Sequence, residues 1–135
     1  MSGPFHSLSI SGSGMDVYQT WLDAIADNVA NINNVSPTSG AAFQERFVIV
    51  EAQESTRDGY DGAAVKSIEL GDPNGRKVFQ PEHPMADEEG FVRLPAVDLA
   101  QQMTHMLVAQ RAYQANVSAF RSARDAYQRA MEIGR

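Results

Sequence analysis

From Val97 to Ile133 the chain contains neither glycine nor proline, and its apolar residues there keep heptad spacing: Leu99, Met103, Met106, Tyr113, Val117, Phe120, Tyr127 and Met131. Steps of three and four are the a/d pattern of a helix that buries one narrow seam against another helix. At 1.5 Å per residue the segment spans roughly 50 Å. A periodic stretch longer than about 25 residues without an internal stop reads as a coiled coil, a membrane span or a helical repeat. The arginines along it argue against a span, and the rest of the chain carries no internal repeat. Gln110 and Arg124 fall at seam positions, where polar side chains suit a wet or intersubunit seam that specifies register.

A second stripe lies at the front: Met15, Tyr18, Leu22, Ile25, Val29 and Ile32. It predicts a helix from about Met15 to Asn33, ended by Asn34, Ser36 and Pro37, because the residue before proline avoids the α region. Met1 to Gly14 is rich in serine and glycine and reads as a flexible lead, Gly12 and Gly14 each costing a helix about 1 kcal/mol against alanine. Between the helices, Phe43–Ala52, Val65–Leu70, Lys77–Gln80 and Phe91–Leu94 read as short strands. Arg57–Gly62 is turn-rich, and Asp72-Pro73-Asn74-Gly75 is a strong turn signal. The expected architecture is α+β, with long terminal coiled-coil helices flanking a small β-rich middle: residues 1–36, 37–96 and 97–135.

The 135 residues, 43% of them hydrophobic, allow one modest core. A net charge of −6 makes a nucleic-acid backbone an unfavourable partner. The front helix has only acids, Asp16, Asp23 and Asp27, whereas the last helix carries Arg111, Arg121, Arg124, Arg129 and Arg135 against Asp125 and Glu132. Opposite charges of this kind steer pairing more than they stabilise it. With no cysteine there is no disulfide, thiolate metal site or cysteine nucleophile. Met1–Ile10 lacks the basic and apolar regions of a Sec signal peptide, so none is expected.

Candidate chemistry is sparse. His6, His83 and His105 are separated, and no spacing resembles a ligand set. Ser11-Gly12-Ser13-Gly14 lacks the lysine and preceding strand of a phosphate loop. Asp87, Glu88 and Glu89 sit in a loop before Gly90, and an acid–base pair among them or with His83 would need a pocket that nothing identifies. No catalytic residue, cofactor site, metal site or small-molecule substrate is expected. Two polar clusters on the stripes are more suggestive. Asn28, Asn31, Asn33 and Asn34 crowd the end of the front helix, and Tyr113-Gln114-Ala115-Asn116 lies on the back helix beside Ala109 and Ala112, whose small side chains permit close helix approach. Such amides either cap and fray a helix end or bond across packed helices. Because the front stripe covers about half the length of the back one, partners from other chains are expected. The alternative is a soluble binding module whose two helices close as an intramolecular hairpin.

These same segments resemble a known family. Asp23-Ala24-Ile25-Ala26-Asp27-Asn28-Val29-Ala30-Asn31-Ile32-Asn33-Asn34, led by Ile10-Ser11-Gly12-Ser13-Gly14-Met15, is similar to the signature near the start of bacterial flagellar rod and hook proteins. Arg111-Ala112-Tyr113-Gln114-Ala115-Asn116-Val117 is similar to the motif near their end. His83-Pro84-Met85-Ala86-Asp87 and Gly90-Phe91-Val92-Arg93-Leu94-Pro95, followed by Val97-Asp98, narrow the resemblance to the proximal-rod, FlgC-type family; Ala96 stands where that family usually has asparagine. The resemblance implies a non-enzymatic structural subunit, exported by the flagellar type III apparatus without a cleaved Sec signal. It implies assembly in the periplasmic rod of the basal body, where the rod transmits torque from motor to hook. The implied neighbours are rod proteins of the FlgB, FlgF and FlgG types, a FliE-type adaptor and further copies of the chain. The expected assembly interface comprises the two stripes together with Asn28, Asn31 and Asn116.

Overall fold

The computed structural model describes residues 4–55 and 59–134. It is an α+β chain in the order α1 (Pro4–Ala30), β1 (Ser36–Pro37), β2 (Arg46–Ser55), β3 (Gly59–Leu70), β4 (Arg76–Phe79), β5 (Phe91–Leu94) and α2 (Leu99–Ile133). α2 is an unbroken helix of 35 residues, close to the span its composition predicts. Asp98 starts it: its carboxylate accepts the Gln101 N–H at 3.1 Å, satisfying one amide that the first turn leaves unpaired. α1 starts at Pro4, well before the Met15 start that the stripe predicts. Of the turn-rich stretch Arg57–Gly62, residues 56–58 lie outside the described part, and Gly59 onward already belongs to β3.

The chain forms two compact units. The first combines Met1–Leu22, Val48–Ser67 and Leu107–Arg135. Here the front of α1 lies against the back of α2, with the Phe5 and Tyr127 rings 4.7 Å apart. A Cβ on Gly14 would stand 2.5 Å from Asn116 Oδ1, so glycine is what lets the two helices approach so closely. The strand pair β2–β3 supplies the rest. Only residues 56–58 separate these strands, too few for the crossover that parallel pairing needs, so they form an antiparallel hairpin. Ser13 ties the hairpin to α1. Its hydroxyl donates to the Ile10 carbonyl at 2.8 Å and accepts the Ala63 N–H at 3.1 Å. Gly62, at φ +122°, lets the strand pass there, since a Cβ would lie 2.1 Å from Ser13 Oγ. These contacts give the serine- and glycine-rich lead a helical role that propensity alone does not predict. Ser11, Val17 and Ala109 are buried.

The second unit combines Asp23–Phe47 and Ile68–Met106. Its three-stranded sheet runs β1-β5-β4. Both pairings are antiparallel, with Pro37 and Val78 flanking Val92, which is fully buried. Proline is tolerated in β1 because that strand is an edge. Phe79 faces Phe91 across the sheet, rings edge to face at 5.3 Å, and Lys77 Nζ lies 4.8 Å from the Phe91 centroid. The turn expected at Asp72–Gly75 is present. Asp72 Oδ1 accepts the Asn74 N–H at 2.8 Å, and Gly75 takes φ +59°, where a Cβ would lie 2.2 Å from the Leu94 carbonyl oxygen. Ala24, Ile25, Ala42, Pro95 and Val97 complete the core.

Candidate assembly surfaces

In the second unit, two buried amides join the end of α1 to the start of α2. Asn28 and Gln102 are each 1% exposed. The Asn28 amide donates to Gln102 Oε1 and to the Arg46 carbonyl, both at 3.1 Å, and its Oδ1 accepts the Arg46 N–H at 2.8 Å. Gln102 in turn donates to Glu45 Oε1 at 2.6 Å. Asn28 therefore pairs with the first residue of β2 as a strand neighbour would, and the Arg46 guanidinium returns to Asp27. No buried side-chain nitrogen or oxygen among the described residues lacks a partner, so this network is complete. A satisfied buried network fixes register, whereas one left half-paired costs stability. Of the amides singled out on the stripes, Asn28 bonds across helices. Asn31 instead donates back to the Asp27 carbonyl at 2.8 Å, and Asn116 to the Ala112 carbonyl at 2.9 Å within its own helix.

The stripes themselves divide. On α1, Ile25 is buried, and Met15, Tyr18, Leu22 and Val29 are half-buried; α1 ends at Ala30, before the predicted Asn33, so Ile32, also half-buried, lies in the turn that follows. The positions turned fully inward include Ser11, Val17, Ala24 and Asn28, with Gly14 against Asn116. On α2, Met106, Tyr113, Asn116, Val117, Phe120 and Tyr127 are half-buried. The fully buried positions are Gln102 and Ala109, beside the apolar row rather than on it. Leu99, Met103 and Met131 keep half or more of their surface exposed, as do Leu107 and Val108. Gln110 and Arg124 are exposed, Arg124 pairing with Asp125 at 3.1 Å. Selecting positions by hydrophobicity thus finds the margin of the inward face and misses its centre, which is built from small and amide residues. The signal was present one residue off the stripe, in Gly14 and Asn28 on α1 and in Gln102 and Ala109 on α2.

The residues weighed for chemistry serve the local backbone. Asp87 Oδ1 accepts the N–H groups of Phe91 (2.8 Å) and Glu89 (3.0 Å), and Oδ2 accepts the Thr38 hydroxyl at 2.8 Å. The Phe91 and Thr38 bonds hold the Asp87 carboxyl below its usual range, because they favour the ionised form. His83 Nδ1 accepts the Met85 N–H at 3.1 Å. No group of three or more His, Asp or Glu among the described residues is placed to hold a metal ion, and no described helix is long and apolar enough to cross a membrane.

Two long helices with surplus apolar surface, carrying a small β unit, suit a subunit of an axial assembly, and the comparisons agree. Residues 88–133, which include the end of the Asp87–Gly90 loop, β5 and all of α2, match the family model described as the C-terminal region of flagellar basal body rod FlgEFG proteins. Similarity to curated proteins extends over almost the entire chain. The flagellar basal-body rod protein FlgC of Aquifex aeolicus is 33% identical over 129 residues, 95% of each chain. That of Yersinia enterocolitica is 31% identical and that of Salmonella typhimurium 26%, each over 93% of both chains. The chain belongs to the FlgC family of flagellar basal-body rod proteins.

Proposed function

We propose that the chain is a structural subunit of the bacterial flagellar basal-body rod, built into the axial shaft through α1 and α2 and carrying torque from motor to hook. Its place is the basal body, its neighbours are rod proteins of the FlgB, FlgF and FlgG types with a FliE-type adaptor, and it reaches them through the flagellar export apparatus. The observation that carries this reading is the apolar surface left on α2 after the chain has packed against itself: Leu99 and Met103 in the second unit, Leu107 and Val108 in the first. Exposed apolar side chains that repeat along one helix mark an interaction surface. Torque transmission needs no reaction chemistry. It needs many helix contacts that do not slip, and buried amide pairs such as Asn28–Gln102 fix register at modest energetic cost.

A closed hairpin acting as a binding module is the weaker reading. α1 and α2 do meet within the first unit, but through Gly14, Asn116, Phe5 and Tyr127, and that pairing leaves the outer row of α2 uncovered. Met103→Asp is the direct test, in a flagellated strain whose own FlgC gene is deleted. Met103 is 51% exposed, so the substitution should change stability by no more than about 0.5 kcal/mol. Swimming in soft agar should nevertheless be lost. Normal swimming with normal expression would remove the outer row from the assembly.

A further inference from the structure

Asn74 is the only asparagine of the chain that precedes a glycine; the others precede Val29, Ile32, Asn34, Val35 and Val117. That neighbour has a chemical consequence. A backbone nitrogen can attack the carboxamide of the asparagine before it, and glycine, having no side chain, neither blocks the approach nor restricts the rotation that brings it about. Asn74 is exposed, so water reaches it.

The fold restrains both reacting groups. The Gly75 N–H donates to the Asp72 carbonyl at 3.3 Å, closing the turn. Asp72 Oδ1 accepts both the Asn74 backbone N–H at 2.8 Å and the Asn74 side-chain amide at 3.0 Å. These two bonds turn the carboxamide back towards Asp72 and away from the Gly75 nitrogen. Arg93, on the central strand β5, closes the other side. Its Nη1 donates to Asn74 Oδ1 at 3.0 Å and to the Asn74 carbonyl at 3.1 Å, while its Nε is anchored on the Thr38 carbonyl at 3.0 Å. The guanidinium also polarises the carboxamide, but attack needs the Gly75 nitrogen beside Asn74 Cγ, and the closed turn denies that approach.

We propose that Asn74 is a site of spontaneous deamidation that the folded turn keeps closed, with Asp72 and Arg93 as its restraints, and that reacts whenever the turn opens. In the open turn the Gly75 nitrogen, its proton lost to solvent, bonds to Asn74 Cγ. The Cγ–Nδ2 bond breaks, and Nδ2 takes up a proton and leaves as ammonia. Water then opens the cyclic imide at either carbonyl. Opening at Cγ leaves aspartate on the normal backbone, and opening at the backbone carbonyl leaves isoaspartate, whose main chain is longer by a carbon. Overall, water is consumed and ammonia released, and nothing is oxidised or reduced. A Cβ on Gly75 would already stand 2.2 Å from the Leu94 carbonyl oxygen and 2.7 Å from Ala42 Cβ, so the lengthened isoaspartate backbone has no room to rebuild this turn. Deamidation is therefore an irreversible mark on chains whose turn has opened. The inference is independent of the rod-subunit reading.

The test follows the full chain, folded or in concentrated urea at the same mildly alkaline pH, by digesting samples at intervals and weighing the peptide that holds Asn74. Among the asparagines Asn74 should convert first, and about ten-fold or more slowly in the folded chain, because reaction proceeds only through the open fraction. Asp72→Ala and Arg93→Ala, checked for folding by circular dichroism, should each raise the folded-state rate several-fold and leave the rate in urea little changed. Asn74→Asp, the normally linked product, should refold and protect the Gly75 amide from hydrogen exchange, whereas isoaspartate chains separated from the urea sample should not. Four results overturn the proposal: equal rates in the folded and unfolded chain, faster conversion at another asparagine, folded variants that convert no faster than the parent, or isoaspartate chains that regain Gly75 protection. Should a variant fail to fold, the folded-against-unfolded comparison of the parent chain decides.

Discussion

Truncating Asn28 to alanine isolates the device that holds the end of α1 to the start of β2. Three hydrogen bonds disappear, and the groups left behind differ in what they can recover. Gln102 is 1% exposed, so its carbonyl oxygen loses a donor where bulk water does not reach, at a cost of about 1–3 kcal/mol. The Arg46 N–H and carbonyl belong to an exposed residue and are rehydrated in part, at about 0.5–1.5 kcal/mol each. A water admitted into the vacated volume recovers some of this, which places the expected loss at about 2–4 kcal/mol. Urea denaturation followed by circular dichroism measures that loss, and hydrogen exchange at the Arg46 amide localises it, because that N–H now donates to Asn28. Asn28→Asp, almost identical in shape, should cost more than alanine. It sets an anionic oxygen against the Arg46 carbonyl and Gln102 Oε1, with Glu45 one bond further on. Asn31→Ala is the control: three residues away, it loses one bond to a helix-end carbonyl at a half-buried position and should cost about 1 kcal/mol or less. If Asn28→Ala costs under about 1 kcal/mol and leaves the Arg46 amide protected, the network is not what joins these elements, and the reasoning fails.

The glycines separate by sign. Gly75→Ala should destabilise by about 2–4 kcal/mol in chemical denaturation, since it combines φ +59° with a Cβ 2.2 Å from the Leu94 carbonyl, whereas Gly12→Ala, in a helix with nothing within 4 Å, should stabilise by about 0.5–1 kcal/mol. Asp87 predicts an acid response. Its folded-state pKa lies below the ordinary 3.8, so its contribution is fully present above that value and is lost as pH falls through the lower folded value. Protection of the Phe91 amide from hydrogen exchange, taken relative to the free-amide rate at the same pH, should therefore fall as pH drops below about 3.8, and Asp87→Asn should show that loss of protection already at neutral pH. On α2, Leu99→Asp should match Met103→Asp in abolishing swimming with little change in stability, because both side chains are half exposed.

Local signals carried much of the fold. The glycine- and proline-free run specified α2 to within about two residues of its start, β-branched and aromatic clusters specified β2 and β5, and the Asp72–Gly75 turn was legible from its side chains. Each of these depends on residues a few positions apart, where propensity, capping and turn geometry act directly. The motifs around Asn28 and Asn116 resemble those of the flagellar rod family, and similarity over almost the entire chain agrees. The beginning of α1 was not legible. Ser11 to Gly14 argues against helix on propensity, and it is helical because Ser13 bonds the hairpin at Ala63 and Gly14 admits Asn116, contacts 50 or more residues away in sequence.

Nor did the sequence by itself determine which side of each helix turns inward. An apolar stripe defines a face about 100° wide, and adjacent helix positions are separated by the same angle, so hydrophobicity cannot choose between the stripe and the row beside it. Tertiary packing made the choice on size and hydrogen bonding. Close approach needs small side chains, as at Gly14 and Ala109, and a buried amide is admissible only where another element supplies its partners, as Arg46 and Gln102 do for Asn28. The stripe's remaining apolar side chains were thereby left at the margin or on the outside: the sequence named Leu99, Met103 and Met131, and only the packing decided that they turn outward.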